Sequence, residues 1–193
     1  MKITAEDIIK IRKPKTRYPV IQPIADRFSP RHFSSEKISE KDVNSIFEAA
    51  RLAPSGHNIQ PWFYYWTRNT DKSFEKIISC FPESNYWAKT AAVFIVACYL
   101  STDEGKRNPY ALYDLGASVM SLILQAQHLG FYGRQIGNCN IKKIKKLLNL
   151  NKEHRSFVVI ALGKIGDYSK AEEIFLKKDI TLFEKKTNIA KKI

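Results

Sequence analysis

Apolar residues recur at helical spacing in several stretches of the chain. The longest stretch is residues 110–129, where apolar residues repeat every three or four positions and Gly130 follows as a stop. Ser39 and Asp42 have the spacing of a helix start, and Pro54 ends the helix that they predict. Shorter helices are predicted after Thr4, over residues 74–81 and over residues 140–148.

Continuous apolar or aromatic runs between these helices predict strands. The runs are residues 62–67, 91–99, 131–136 and 156–163. Three prolines within residues 13–23 exclude a long helix there and predict an extended arm. The residues after Gly166 are polar and rich in lysine. We therefore predict one mixed domain over residues 1–193, with an N-terminal arm at 1–26 and a C-terminal extension at 164–193.

The composition is that of an ordinary globular protein, because 44% of the residues are hydrophobic and 26% are charged. It excludes disordered, collagen-like and simple coiled-coil chains. The net charge is +13, of which residues 1–31 carry +5 and residues 164–193 carry +3. Because much of this charge lies at the two ends, where it is easily solvated, it does not favour a nucleic-acid partner. A basic nucleic-acid-binding domain remains an alternative that salt-dependent DNA binding would support.

The cysteines and the N-terminus predict a cytoplasmic protein with no membrane partner. Cys80, Cys98 and Cys139 are widely spaced and form no recognisable disulfide framework, which is typical of a reducing compartment. Acidic residues stand near the N-terminus where a signal peptide would be apolar. The longest apolar run, residues 91–100, is too short to cross a bilayer.

Several enzyme signatures are absent from the sequence. The four histidines lack metal-ligand spacing, and no nucleophile elbow of the form G-x-S-x-G occurs. No G-x-G-x-x-G or Walker sequence is present, which argues against a resident dinucleotide site and a P-loop. We predict no metal site.

The first candidate binding segment has Arg27, Ser29 and Arg31 at alternate positions. In an extended conformation these side chains share one face and present two guanidinium groups and a hydroxyl. Such a face suits a phosphate or another planar anion. The alternative is a solvated basic turn.

The second candidate segment is the loop of residues 53–62, which two prolines stiffen. Ser55, Asn58 and Gln60 place neutral donors and acceptors close together, and Gly56 permits close approach to the backbone. This set suits the polar edge of a heterocycle. The alternative is a helix-to-strand loop whose polar groups satisfy one another.

Together the two segments resemble the nitroreductase family of flavoproteins. The family has an Arg-x-Ser-x-Arg-x-Phe element, found here at residues 27–33, and a Pro-Ser-x-x-Asn-x-Gln-Pro-Trp loop, found here at residues 54–62. The loop follows a helix that ends in Ala-Ala, as in the family. The resemblance covers about residues 20–166. Further stretches resemble the family at residues 87–93, 111–116, 130–137 and 161–163.

The resemblance implies an α+β nitroreductase-like fold, with a central, mostly antiparallel sheet flanked by helices and with terminal arms that embrace a dimer partner. It implies FMN bound at the interface of a homodimer. NAD(P)H would act as a transient electron donor, reducing nitroaromatic, quinone or related small acceptors through the flavin by ping-pong transfer. Dehalogenating and flavin-cleaving activities exist among such proteins and stay open. So does a flavin carrier or sensor with little turnover, which NAD(P)H oxidation would distinguish.

The resemblance also implies the roles of individual residues. Arg27 and Ser29 would hold the phosphate, and Arg31 would lie near the pyrimidine edge of the flavin. The ring would be reached by the partner's loop at residues 54–58 and lined by residues 135–138. No side chain is assigned as a catalytic acid or base. The predicted cofactor-binding residues are Arg27, Phe28, Ser29, Arg31, Pro54, Ser55, Gly56, Asn58, Gln135, Ile136, Gly137 and Asn138.

Two stretches depart from the family pattern. Residues 137–140 read GNCN where a Gly-Gly-Phe-Asp-like turn is usual. The family's tail usually brings an arginine to the phosphate, but Asp179 stands at the corresponding position here. Lys177 and Lys178 are the candidates to replace that arginine.

Overall fold

The computed structural model describes residues 3–187 and 189–192, so the predicted arms include four residues, 1, 2, 188 and 193, that lie outside the described part. The helices of that part are α1 (Ala5–Arg12), α2 (Gln22–Asp26), α3 (Glu40–Arg51), α4 (Lys72–Ile78), α5 (Ala111–His128), α6 (Ile141–Leu147) and α7 (Glu173–Ile180). The strands are β1 (Trp62–Arg68), β2 (Val93–Leu100), β3 (Thr102–Asp103), β4 (Lys106–Arg107), β5 (Tyr132–Ile136) and β6 (His154–Gly163). Short 3-10 helices cover Gly56–Asn58, Glu83–Thr90 and Tyr168–Lys170.

Four strands form the central sheet in the order β1-β2-β6-β5, and every neighbouring pair is antiparallel. The sheet separates two hydrophobic cores, as expected when helices cover both faces. Helices α3 and α5 cover the face that carries Ile95 and Ala97. The core on the other face, around Phe94 and Val96, includes residues of α1, α4, α6 and α7. The predicted α+β architecture with an antiparallel sheet is confirmed.

Local capping signals correctly predicted three helix starts. The Thr4 hydroxyl accepts a hydrogen bond from the Asp7 N–H, and the Asp7 carboxylate accepts one from the Thr4 N–H. Ser39 caps α3 in the same way through the N–H of Asp42. The side chain of Asn140 caps α6.

Other elements differ from the sequence prediction. The arm predicted to be extended to residue 23 becomes helix α2 at Gln22, because Pro23 lies in the first turn, where its missing N–H is not needed. A hairpin of β3 and β4 was not predicted, since its strands are polar and only Glu104 and Gly105, both at positive φ, mark the turn. Helix α7 lies in the polar tail and escaped prediction, because only Phe175 and Asp179 of it are buried.

The first candidate segment is attached to the end of β6. Phe33 forms an isolated antiparallel bridge with Ile165, and the N–H of Gly166 donates to the His32 carbonyl at 3.1 Å. A Cβ at position 166 would lie 2.5 Å from the His32 ring and 2.8 Å from the Phe33 carbonyl oxygen. Only glycine allows the two chain segments to approach so closely. Gly166 therefore helps to position residues 27–33.

None of the described helices combines the length and the hydropathy needed to cross a lipid bilayer.

Candidate functional site

Residues 27–31 lie beside β5, and the backbone of Arg27 is extended. Phe28 and Pro30 are buried, while Arg27, Ser29 and Arg31 are partly exposed, so the side chains alternate as the sequence predicts. The Phe28 ring packs on the Tyr132 ring with centroids 5.1 Å apart. This packing holds the segment so that its polar face is turned away from the core.

Four guanidinium groups gather around this segment, and we call them the arginine cluster. Its members are Arg12, Arg27, Arg31 and Arg134. Nη1 of Arg134 donates to the Ser29 carbonyl oxygen at 2.6 Å, and the Arg12 guanidinium lies 5.6 Å from the centre of the Phe28 ring. Nη1 of Arg27 is 3.5 Å from the Ser29 hydroxyl.

Members of the arginine cluster lower one another's pKa. Burial, followed by the nearby charge of Arg31, lowers the pKa of Arg134 to about 10, although the charge of Asp179 acts in the opposite direction. Burial also lowers the pKa of Arg27, with the charge of Arg12 acting in the same direction. Cations that depress one another's pKa favour the binding of an anion that relieves the repulsion.

Asp179 of α7 is the carboxylate that balances part of this charge. One of its oxygens accepts from the Arg31 N–H at 2.6 Å, and the other accepts from Arg31 Nη1. The Tyr168 hydroxyl donates to it at 2.5 Å, and burial, followed by the charge of Asp179, raises the pKa of Tyr168. Asp179 is only 2% exposed.

The cluster retains surplus positive charge. Arg31–Asp179 is the ion pair that it forms within the described residues. Arg12 donates to the Thr181 carbonyl oxygen at 2.7 Å, yet its buried Nε has no partner among the described atoms. With four guanidinium groups and one paired carboxylate, the donor set fits a phosphate.

The loop of residues 54–60 is held in an unusual backbone conformation. His57, Asn58 and Gln60 have φ values of 51°, 58° and 51°, in the left-handed region that residues other than glycine rarely adopt. The Gly56 N–H donates to the buried Asp114 carboxylate at 3.3 Å, and the Gln60 N–H donates to the Ser55 hydroxyl at 3.0 Å. Strain of this kind concentrates at functional sites.

Some polar groups of this loop form hydrogen bonds with one another, as expected for a loop that only connects a helix to a strand. Besides the Ser55–Gln60 bond, the Gln60 side-chain amide donates to the Asn58 carbonyl oxygen at 3.1 Å. Pro54 and Asn58 are exposed, and the Asn58 side chain has no hydrogen bond within the described part of the chain. The loop therefore leaves an amide free to bind a ligand.

Gln135 and Ile136 are the last two residues of β5, directly after Arg134, and Gly137 and Asn138 follow the strand. Gln135, Gly137 and Asn138 are exposed, and Ile136 is buried. The side-chain amide of Asn85 donates to the Asn138 carbonyl oxygen at 3.0 Å, which fixes this turn. Strand β5 thus brings two predicted groups together, the basic segment on one side and the exposed turn at its end.

The loop of residues 54–60 is not hydrogen-bonded to the basic segment or to the end of β5 in the part of the chain that the structure describes. Within the described residues, its hydrogen bonds are to itself and to α5, and none reaches residues 27–31 or 135–138. In the described part of the chain, the predicted binding residues therefore form two groups that share no hydrogen bond.

The chain matches a known protein family. The model of the nitroreductase family matches residues 24–83 and 81–164, which include all three predicted segments. The chain belongs to the nitroreductase family. It is an enzyme of the class that uses a flavin and NAD(P)H for oxidation and reduction.

Several relatives share most of the length of this chain. A protein of Archaeoglobus fulgidus, provisionally named an NADH dehydrogenase/NAD(P)H nitroreductase, is 27% identical over 165 residues, which are 82% of this chain and 90% of that protein. The solved structure of an oxidoreductase containing FMN superposes with a TM-score of 0.81 at 26% identity and covers 86% of each chain. A nitroreductase family protein of Clostridium novyi has the same fold, with a TM-score of 0.68 at 23% identity, and the match covers 78% of this chain and 87% of that one.

The structure adds residues to the nitroreductase site that the sequence did not reveal. Arg12 and Arg134 were not predicted, although Arg134 directly precedes Gln135 in the same strand. The two tail lysines that are candidates to replace the family's arginine make other contacts in the structure, and that role stays a prediction. Lys177 is ion-paired with Glu173 at 2.7 Å, and Lys178 lies 6.0 Å from the ring centre of Phe175 in its own helix.

Proposed function

We propose that this nitroreductase binds FMN, with the flavin phosphate at the arginine cluster, and uses NAD(P)H to reduce nitroaromatic, quinone or related small acceptors. The observation that carries the proposal is the surplus of guanidinium groups around Ser29, which one paired carboxylate does not neutralise. The similar structure that contains FMN supports the choice of this flavin.

The chain's own residues would bind and orient the cofactor. Arg27 and the Ser29 hydroxyl would hold the phosphate, while Arg134 fixes the Ser29 backbone beside them. Residues 135–138, at the end of β5, would line the ring, and the space beside Gly137 is open, because a Cβ there would meet no atom within 4 Å. When bound, FMN would supply the chemistry of electron transfer between NAD(P)H and the acceptor.

The cofactor is the first testable consequence. We expect the purified protein to be yellow, and heat denaturation to release FMN rather than FAD, because the cluster offers one compact phosphate site. The supernatant of the heated protein, separated by chromatography against both flavins, gives the answer. A colourless protein that takes up no added FMN would contradict the proposal.

We further propose that the enzyme is an obligate homodimer whose partner completes the site. The strained loop of residues 54–60 and the basic segment form separate groups in one chain, as expected if each serves a different copy of the site. Large apolar side chains are also left exposed. Tyr113 on α5 is 82% exposed, and Phe183 in the tail is 74% exposed. Exposed patches of this kind mark interaction surfaces.

Sedimentation tests the dimer. Because an obligate interface usually buries more than about 2,000 Å², we expect a single dimeric species at micromolar protein concentration. Its FMN content should be one per chain, since each site needs both copies. A monomer that still holds FMN would show that one chain forms the site alone.

A further inference from the structure

A cavity of about 370 Å³ opens beside the first turn of α5. Its lining comes from the end of β2, the β3–β4 hairpin, the start of α5 and the start of β6. It shares no residue with the arginine cluster, the loop of residues 54–60 or the turn of residues 135–138. The volume lies within the range of about 300–1,000 Å³ that is common for small-molecule sites.

The cavity is lined by two arginines and by no acidic residue. Arg155 lies directly opposite Tyr99 in the register of β2 and β6, and Arg107 comes from β4. Within the described part of the chain, neither guanidinium has a carboxylate at ion-pair distance. Two unpaired guanidinium groups that line one cavity favour an anionic ligand.

Asn108 supplies a buried donor without a partner. This residue lines the cavity and is only 8% exposed. Its Oδ1 accepts from the Tyr110 N–H at 3.0 Å, which fixes the orientation of the amide. Its Nδ2 has no hydrogen-bond partner among the described atoms. Because buried donors are nearly always paired in folded proteins, this amide indicates a missing acceptor.

The amino end of α5 also favours an anionic ligand. The helix has 18 residues and begins at Ala111, and its N-cap residue, Tyr110, makes no side-chain capping bond. The unpaired N–H groups of a first turn and the helix dipole together favour an anion. Asp114 is the acid of this turn, but its carboxylate accepts from Gly56 and does not line the cavity.

We propose that this cavity binds the phosphate group of a small organic phosphomonoester. The arginines, the Asn108 amide and the first turn of α5 supply donors suited to the phosphate oxygens. The cavity is larger than a phosphate alone requires, and Tyr99 and Leu112 offer apolar surface to the attached organic group. The phosphate could belong to a mononucleotide or to a phosphorylated acceptor. The inference does not depend on FMN binding at the arginine cluster.

Calorimetric titration of the purified protein, freed of unbound flavin, tests the site. The probes are AMP, ribose 5-phosphate and adenosine. We expect AMP to bind and adenosine not to bind, because the phosphate carries the recognition. Binding of ribose 5-phosphate as tightly as AMP identifies a general phosphomonoester site, and selective binding of AMP identifies a nucleotide site. The proposal is wrong if AMP does not bind at millimolar concentration or if adenosine binds equally well.

Variants show where AMP binds. Arg155→Gln should weaken AMP binding at least tenfold, because it removes a guanidinium without adding volume. Arg68→Gln is the matched control, since Arg68 stacks on Trp66, 4.7 Å from its ring centre, at the other end of the same sheet. AMP binding that falls in Arg27→Ala but not in Arg155→Gln would place the phosphate at the arginine cluster and overturn the proposal.

Asn108→Asp provides a second variant. It keeps an oxygen for the Tyr110 N–H but replaces the unpaired donor with a negatively charged oxygen. Because Asn108 is only 8% exposed, the thermal unfolding midpoint is measured alongside the affinity, so that a loss of binding is distinguished from a loss of folding. We expect this variant to lose at least tenfold in AMP affinity. Unchanged affinity would show that Asn108 does not contact the ligand.

Discussion

Replacing Asp179 with alanine is expected to lower the free energy of unfolding by about 3–5 kcal/mol, the usual effect of removing one partner of a buried ion pair. The carboxylate is 2% exposed and accepts hydrogen bonds from the Arg31 N–H, the Arg31 guanidinium and the Tyr168 hydroxyl. Alanine would leave these three donors without their acceptor. It would also leave the arginine cluster without the ion pair that balances it.

Urea denaturation of the variant and the parent protein, each saturated with the same flavin, measures this effect. Lys177→Ala is the matched control in the same helix, because Lys177 pairs with Glu173 on the exposed face of α7. We expect that control to unfold almost as the parent does, since exposed ion pairs contribute little. Equal stability of Asp179→Ala and the parent would mean that α7 is not held by this contact.

Replacing Arg27 with alanine is expected to weaken FMN binding by about 1.5–3 kcal/mol, the usual contribution of a hydrogen bond to a charged group. This corresponds to a loss of roughly 10- to 150-fold in affinity. Within the described residues, the Arg27 side chain makes a single, long hydrogen bond, at 3.5 Å to the Ser29 hydroxyl. Its guanidinium is therefore available to a ligand, and its removal should disturb the fold much less than removal of Asp179.

Quenching of flavin fluorescence, titrated with Arg27→Ala and with the parent apoprotein, gives the two dissociation constants. Arg68→Ala serves as the control, because it removes an arginine that stacks on Trp66 and does not belong to the cluster. An Arg27→Ala protein that binds FMN as tightly as the parent would exclude Arg27 from the phosphate site.

The two arginines of the basic segment have different surroundings in the folded chain. The family resemblance places Arg31 near the pyrimidine edge of the flavin, and that role stays a prediction. In the structure both the backbone and the side chain of Arg31 are bound by Asp179, so its charge is already balanced. Arg27 has no such carboxylate partner among the described residues. A sequence motif presents both residues as equivalent cations, and only the fold separates them.

The sequence by itself determined the features that depend on neighbouring residues. Thr4, Ser39 and Asn140 start their helices with hydrogen bonds to residues three positions away. Apolar runs identified the four strands of the sheet, and the motif at residues 54–62 indicated the family. These signals are local, because a capping bond, a helical repeat and a tight loop each lie within a few residues.

Only the tertiary structure decided which distant side chains share a site. Asp179 meets the Arg31 backbone across 148 positions of sequence, and Arg134 meets Ser29 across 105. No periodicity links such residues, since their contact follows from how α7 and β5 pack beside the basic segment. The cavity at α5 likewise combines Arg155 of β6 with Arg107 of a hairpin too polar to be predicted. Charge balance and cavity shape arise from packing between elements, which local sequence patterns do not encode.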